Sequence, residues 1–174
     1  MNAVKSGSAL ACVLLAAAVA NPALAADASV AKKLDAQGLK YTVDDDGDYK
    51  LLFDVGDDRS QVVWVRSAIE TMGGMRIREV ISISGKSPKP QGSDGVTVAA
   101  MAATSALIAS NRQKLGGWVL KGSDENQAFY YVAQIPADLG AGDLELVVRN
   151  VAKDADGFET LLEALYDLDK TDTY

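Results

Sequence analysis

Asp44, Asp45, Asp46 and Asp48 form the densest set of ligand-type oxygens in the chain, and oxygen-rich loops of this kind suit calcium. Counted as an EF-hand loop from Asp44, the run needs glycine at its sixth position and a carboxylate at its twelfth. Tyr49 and Val55 stand there instead. The Asp46-Gly47 pair lies between two alternating segments, which is a strong short-range signal for a hairpin. The aspartates therefore read as a solvated turn, with ion or small-molecule binding at Asp44–Asp48 as the alternative. No metal site and no cofactor is expected.

Other groups that could carry chemistry lack their usual companions. The chain has no histidine, and its single cysteine, Cys12, sits in an apolar run near the start. A serine nucleophile needs a base; a Ser–Lys pair is the common form left without histidine. Glu70, Glu79, Glu125 and Glu159 have no spacing that marks an acid/base pair. Gly116-Gly117 leads into a strand and lacks the Lys-Ser/Thr that follows the glycines of a phosphate loop. Asn111, Arg112 and Lys114 cluster at a predicted helix end, where basic residues also complement the helix dipole. No catalytic residue is assigned, and a non-enzymatic role is expected.

The first 25 residues have the layout of an export signal. Lys5 gives the positive start, Ala9 to Ala20 the apolar run, and Ala23-Leu24-Ala25 the small-x-small cleavage pattern. The run is shorter than the roughly 20 residues a membrane span needs. Ala9-Leu10-Ala11-Cys12 faintly resembles a lipobox, but most of the apolar run follows the cysteine rather than preceding it. Cleavage after Ala25 removes 25 of 174 residues and leaves 149; because Lys5 is the only charge lost, the formal charge moves from −7 to −8. That balance argues against nucleic acid, which rewards a basic surplus. A chain of this size sustains one core without disulfides. An exported chain lacking cysteine fits a bacterial periplasm.

Beyond the signal, the pattern predicts a single α+β domain over 26–168 and an acidic tail over 169–174. A short helix over Ala28–Gln37 is stopped by Gly38. Strands follow at Lys40–Asp44, Tyr49–Val55, Gln61–Ser67 and Met75–Ser84, close enough in sequence to form an antiparallel block. A Pro/Gly-rich connector over Ser84–Gly95 leads to an alanine-rich helix, Val96–Leu115. A second hairpin pairs Trp118–Lys121 with Ala128–Ile135. A final helix runs from Leu144 to about Leu168, with Asp143 as its cap and Gly157 as a possible bend. Its stripe of Leu144, Val147, Val148, Val151, Ala155, Phe158, Leu162 and Leu165 recurs at helical spacing.

Two strands are apolar on both sides. Val63 and Val65 oppose Val62 and Trp64; Phe129, Tyr131 and Ile135 oppose Tyr130 and Val132. A sheet with helices on one face alone should turn polar residues outward. The second face is therefore expected to be covered as well, by the chain's own helices, by a second copy, or by a partner segment lying against Trp64, Tyr130 and Val132.

Gly38-Leu39-x-Tyr41, the Asp44–Asp48 run before a strand, Val62-Val63-Trp64-Val65, Asn111-Arg112-x-Lys114-Leu115-Gly116 and the acidic-apolar final helix together resemble the bacterial YbjN-domain family, labelled as candidate sensory transduction regulators. The resemblance spans most of 28–166. It implies a type III secretion chaperone-like fold: a twisted antiparallel sheet with packed helices, often dimeric, that binds protein segments. It also makes Asn111 a candidate partner-binding residue, beside Trp64, Tyr130 and Val132. Many relatives lack a signal peptide, so the partner expected here is a periplasmic or envelope protein, with a homodimer as a further possibility.

Overall fold

The computed structural model describes residues 25–86, 113–122 and 127–171, with Met101, Thr104, Ser105 and Ile108 between them, and side chains as far as Ala164. The expected export signal up to Leu24 and residues 123–126 between the strands of the second hairpin lie outside the described residues. Helix α1 spans Ala28–Ala36. Strands β1 Tyr41–Val43, β2 Tyr49–Gly56, β3 Arg59–Met72, β4 Met75–Lys86, β5 Gly117–Lys121 and β6 Ala128–Pro136 follow, and helix α2, Ala141–Thr171, ends the order. The six strands form one sheet in the order β1-β2-β3-β4-β6-β5, antiparallel at every junction. The predicted α+β class is the one the chain adopts.

Alternation decides which side of each strand meets the helices. Tyr49 and Leu51 of β2, Val63 and Val65 of β3, Val80 of β4 and Tyr131, Ala133 and Ile135 of β6 are all buried in one cluster with α1 and α2. Helix α1 contributes Val30 and Leu34, and α2 contributes Leu144, Val147, Val148, Val151, Ala152 and Ala155. A second cluster joins Phe129 to Phe158 and Leu162, with Trp118 packed beside it. Trp118 lies 5.0 Å from both the Tyr131 and Phe158 rings, centroid to centroid. Both helices therefore serve the same face of the sheet.

Local chemistry sets the boundaries. Asp27 caps α1 by accepting the Ser29 N–H at 2.9 Å, the usual role of an N-cap carboxylate. Asp57 and Asp58, at φ 53° and 58°, make the β2–β3 turn in the left-handed conformation that two-residue hairpins favour. Strand β3 runs longer than its alternation foretold because it pairs with β4 out to Met72–Met75, and β4 extends through Gly85 and Lys86 by pairing with Phe129 and Ala128 of β6.

Several expected boundaries shift. Helix α2 starts at Ala141, so Asp143 lies inside its first turn, where a carboxylate complements the dipole. The helix is continuous through Gly157 and reaches Thr171, into the stretch read as an acidic tail. The predicted Val96–Leu115 helix falls mostly outside the described residues. Met101, Thr104, Ser105 and Ile108 are helical, but Gln113 to Leu115 are not. Gly116 directly precedes β5. It allows a close approach: at φ 81° an added Cβ would sit 2.2 Å from the Val132 carbonyl oxygen.

Two glycine substitutions should move stability in opposite directions. Gly116→Ala forces β5 away from β6 and should cost more than about 2 kcal/mol. Gly157 is exposed, helical and faces open space, so Gly157→Ala should gain roughly 0.5–1 kcal/mol. Urea unfolding of the two variants checks both signs.

Candidate functional site

The face turned away from α1 and α2 carries two apolar rows across the sheet. In the first, Lys50 pairs with Trp64, Trp64 with Ile81 and Ile81 with Val132. In the second, Leu52 pairs with Val62, while Ile83 pairs with Tyr130 and Tyr130 with Val119. Trp64, Tyr130 and Val132, expected from alternation alone, are thus brought onto one surface. Leu52 and Val119 are exposed; Val62, Trp64, Ile83 and Tyr130 are half-buried. Ile81 and Val132 are each only 7% exposed, so they form the floor and the larger rings form the walls. The Lys50 ammonium lies 5.8 Å from the Trp64 ring centroid, within range of a cation–π contact. A hollow of about 530 Å³ at one end of this face is lined by Met75, Ile77, Gln134 and Pro136 among others. Asn111 lies outside the described residues.

The Asp44–Asp48 run is committed to holding its own turn. The Asp44 carboxylate accepts the N–H groups of Asp46 and Asp48 at 3.1 and 2.9 Å. The Asp48 carboxylate is buried, accepting the Ser67 N–H at 2.7 Å and pairing with the Arg66 guanidinium at 2.9 Å. These bonds make Asp44 and Asp48 structural.

Beside the turn lies a polar network that alternation did not reveal. Arg78, 2% exposed, donates to the Asp27 carboxylate and to the Arg66 carbonyl. The Asp27 N–H donates to Ser67 Oγ at 3.0 Å, Ser67 Oγ donates to the Gly47 carbonyl at 2.6 Å, and the Tyr49 hydroxyl donates to the Asp27 carbonyl at 2.9 Å. Burial alone would raise the Asp27 pKa, but the bonds from Ser29 and Arg78 outweigh it and hold the carboxyl below its ordinary value. Each group of the network is answered by another, which marks an anchor rather than a reactive centre.

The carboxylates of α2 behave differently. Burial raises the Asp154 pKa, only partly opposed by the Tyr131 hydroxyl and Lys153. Tyr131 is pushed up by burial and by Asp154, and its hydroxyl donates to the Leu115 carbonyl. Arg59 binds Asp156 at 3.0 Å, Glu163 at 3.3 Å and Glu159 at 3.6 Å. Burial raises Glu159 as well, and its acidic neighbours add to the effect against the pull of Arg59. Glu79 faces Lys121 at 4.0 Å.

No family model matches the chain, and no curated protein does. Among solved structures the chain is similar to YbjN from E. coli, a candidate transcription regulator, with a TM-score of 0.49 and 10% identity over 79% of this chain and 90% of that one. The likeness concerns the path of the chain. Among the described residues, no helix is long and apolar enough to cross a membrane.

The raised Asp154 fixes the sign of one pH effect. Its ionised form is disfavoured in the folded chain relative to the unfolded one, so the cost is full above the folded pKa and fades as pH falls through it. Asp154→Asn should raise the melting temperature at pH 7, with the gain shrinking in acid. Thermal unfolding between about pH 4 and 7 checks this, and a gain that grows on acidification would contradict it.

Proposed function

We propose that this chain is a non-enzymatic, chaperone-like module of the bacterial periplasm that binds another polypeptide on the sheet face bearing Trp64, Tyr130 and Val132. One observation carries the reading: apolar residues line five strands on the face that neither described helix serves. Trp and Tyr give such a face large contact area with few rotors to freeze. The partner is a periplasmic or envelope protein whose apolar segment rests on the rings of Trp64 and Tyr130, above the floor of Ile81 and Val132. Export through the cleavable segment before Ala26 puts the domain in that compartment.

The test is the Trp64→Ala/Tyr130→Ala double variant of the mature chain. It should keep its far-ultraviolet spectrum and cooperative unfolding, because neither side chain belongs to the helix-side core. Crosslinking in the native envelope should lose a partner that the unaltered chain captures. Unchanged capture together with unchanged sedimentation would reject this face as the binding surface. Removal of residues 1–25 in the mature protein, read by N-terminal sequencing, checks the compartment independently.

A further inference from the structure

The hollow at the end of the open face exists because two neighbouring strands end at different heights. Strand β6 stops at Pro136, opposite Ile77 of β4. Proline brings no N–H to continue a ladder, and the chain turns there, with the Leu139 N–H donating to the Pro136 carbonyl at 3.1 Å. Strand β4 reaches further, to Met75, where it pairs with Met72 of β3. The Ala137 N–H donates to the Arg76 carbonyl at 2.9 Å, so the turn is held beside the overhanging hairpin. The space between them holds about 530 Å³, within the roughly 300–1,000 Å³ common for small-ligand pockets.

Its lining combines apolar surface with two opposite charges. Met75, Ile77, Ile135 and Pro136 supply the apolar part, and Gln134 adds a neutral amide. Met75 is 57% exposed, and its flexible thioether chain adapts to what it meets. Arg76 and Asp138 line the same hollow, and both are exposed. Among the described residues, neither side chain enters an ion pair or a hydrogen bond. Lys33, the cation that reaches this turn, donates to the Ala137 carbonyl at 3.1 Å and not to Asp138. Asp27, the carboxylate bound by β4, is taken by Arg78 and not by Arg76. A guanidinium and a carboxylate that share one apolar hollow without pairing are each open to a ligand.

We propose that this hollow binds a small zwitterion with an apolar side chain, the chemistry of an apolar amino acid or of a short peptide built from such residues. Its carboxylate meets the Arg76 guanidinium, whose fork of donors matches two carboxylate oxygens. Its ammonium meets the Asp138 carboxylate. Its side chain rests on Met75, Ile77 and Pro136, where removal of apolar area from water favours it. A ligand with one charge alone leaves Arg76 or Asp138 unanswered, which gives the hollow its preference for both. The site lies at the margin of the Trp64 face and stands without a polypeptide bound there.

The test titrates the purified protein with leucine and with the dipeptide Leu-Leu, followed by the NMR signals of the methionine methyls and the tryptophan indoles. The Met75 methyl should shift saturably while the Trp64 indole stays in place. Acetylating the dipeptide's amine, or amidating its carboxylate, should weaken binding about fivefold, the scale of one exposed ion pair. Gly-Gly should bind more weakly than Leu-Leu, because it brings no apolar side chain. Arg76→Gln should erase the difference between the dipeptide and its amide, and Asp138→Asn the difference between the dipeptide and its acetylated form. Both side chains are exposed, so the variants should keep the fold. Saturation by leucine assigns free amino acids as the ligand, and saturation by the dipeptide alone assigns short peptides; either supports the proposal. No saturable shift with either compound would overturn it, as would equal binding of charged and blocked forms or a preference that survives both substitutions. A shift of the Trp64 indole in place of Met75 would move the ligand onto the open face and overturn it too.

Discussion

A guanidinium buried in the sheet must be answered by its surroundings, and the way Arg78 is answered ties the fold together. Its partners are the Asp27 carboxylate and the Arg66 carbonyl, so one charge links β4, β3 and the start of α1. An uncompensated charge in that position would cost several kcal/mol, about 3–5 when one partner of a buried pair is removed. Asp27 also caps α1 and reaches Ser67 through its own N–H. The helix therefore begins at a point fixed on the sheet. From that point Val30 and Leu34 fall onto the core that α2 completes.

The consequence is that α1 and α2 cover the same side of the sheet. With α1 pinned at one end and α2 lying along the strands, the residues facing them are sealed: Val63, Val65, Val80 and Ala133 show no exposure. The opposite face is left with Trp64, Val62, Ile83 and Tyr130 half-buried. The same arrangement leaves β2 longer than its outer neighbour β1, with α2 behind it.

Much of this was legible from short-range pattern. Period-2 alternation separated Val63 and Val65 from Val62 and Trp64, and Phe129 and Tyr131 from Tyr130 and Val132. The 3.6-residue stripe of α2 named its buried residues from Leu144 to Leu162 apart from Ala152. The Asp46-Gly47 signal gave the turn, and the failed EF-hand spacing agrees with the internal bonds that Asp44 and Asp48 make. Alternation did not foresee the burial of Arg78, whose neighbours in sequence gave no sign of a carboxylate 51 positions away. Nor did it foresee Gly116, whose constraint comes from the backbone of β6, or Trp118, which meets Phe158 from a distant helix.

The sequence by itself determined the alternating and helical periods, the α+β order and the absence of histidine and of any cysteine beyond Cys12. Those are properties of local spacing and composition, and they exist before the chain folds. Only the tertiary structure decided that α1 and α2 share one face, that Trp64 and Val132 meet through Ile81, and that β1 ends short of Leu52. Each of these depends on which segments pair across long stretches of chain. Pairing is governed by the summed burial and hydrogen bonding of the whole sheet rather than by the residues at any one position.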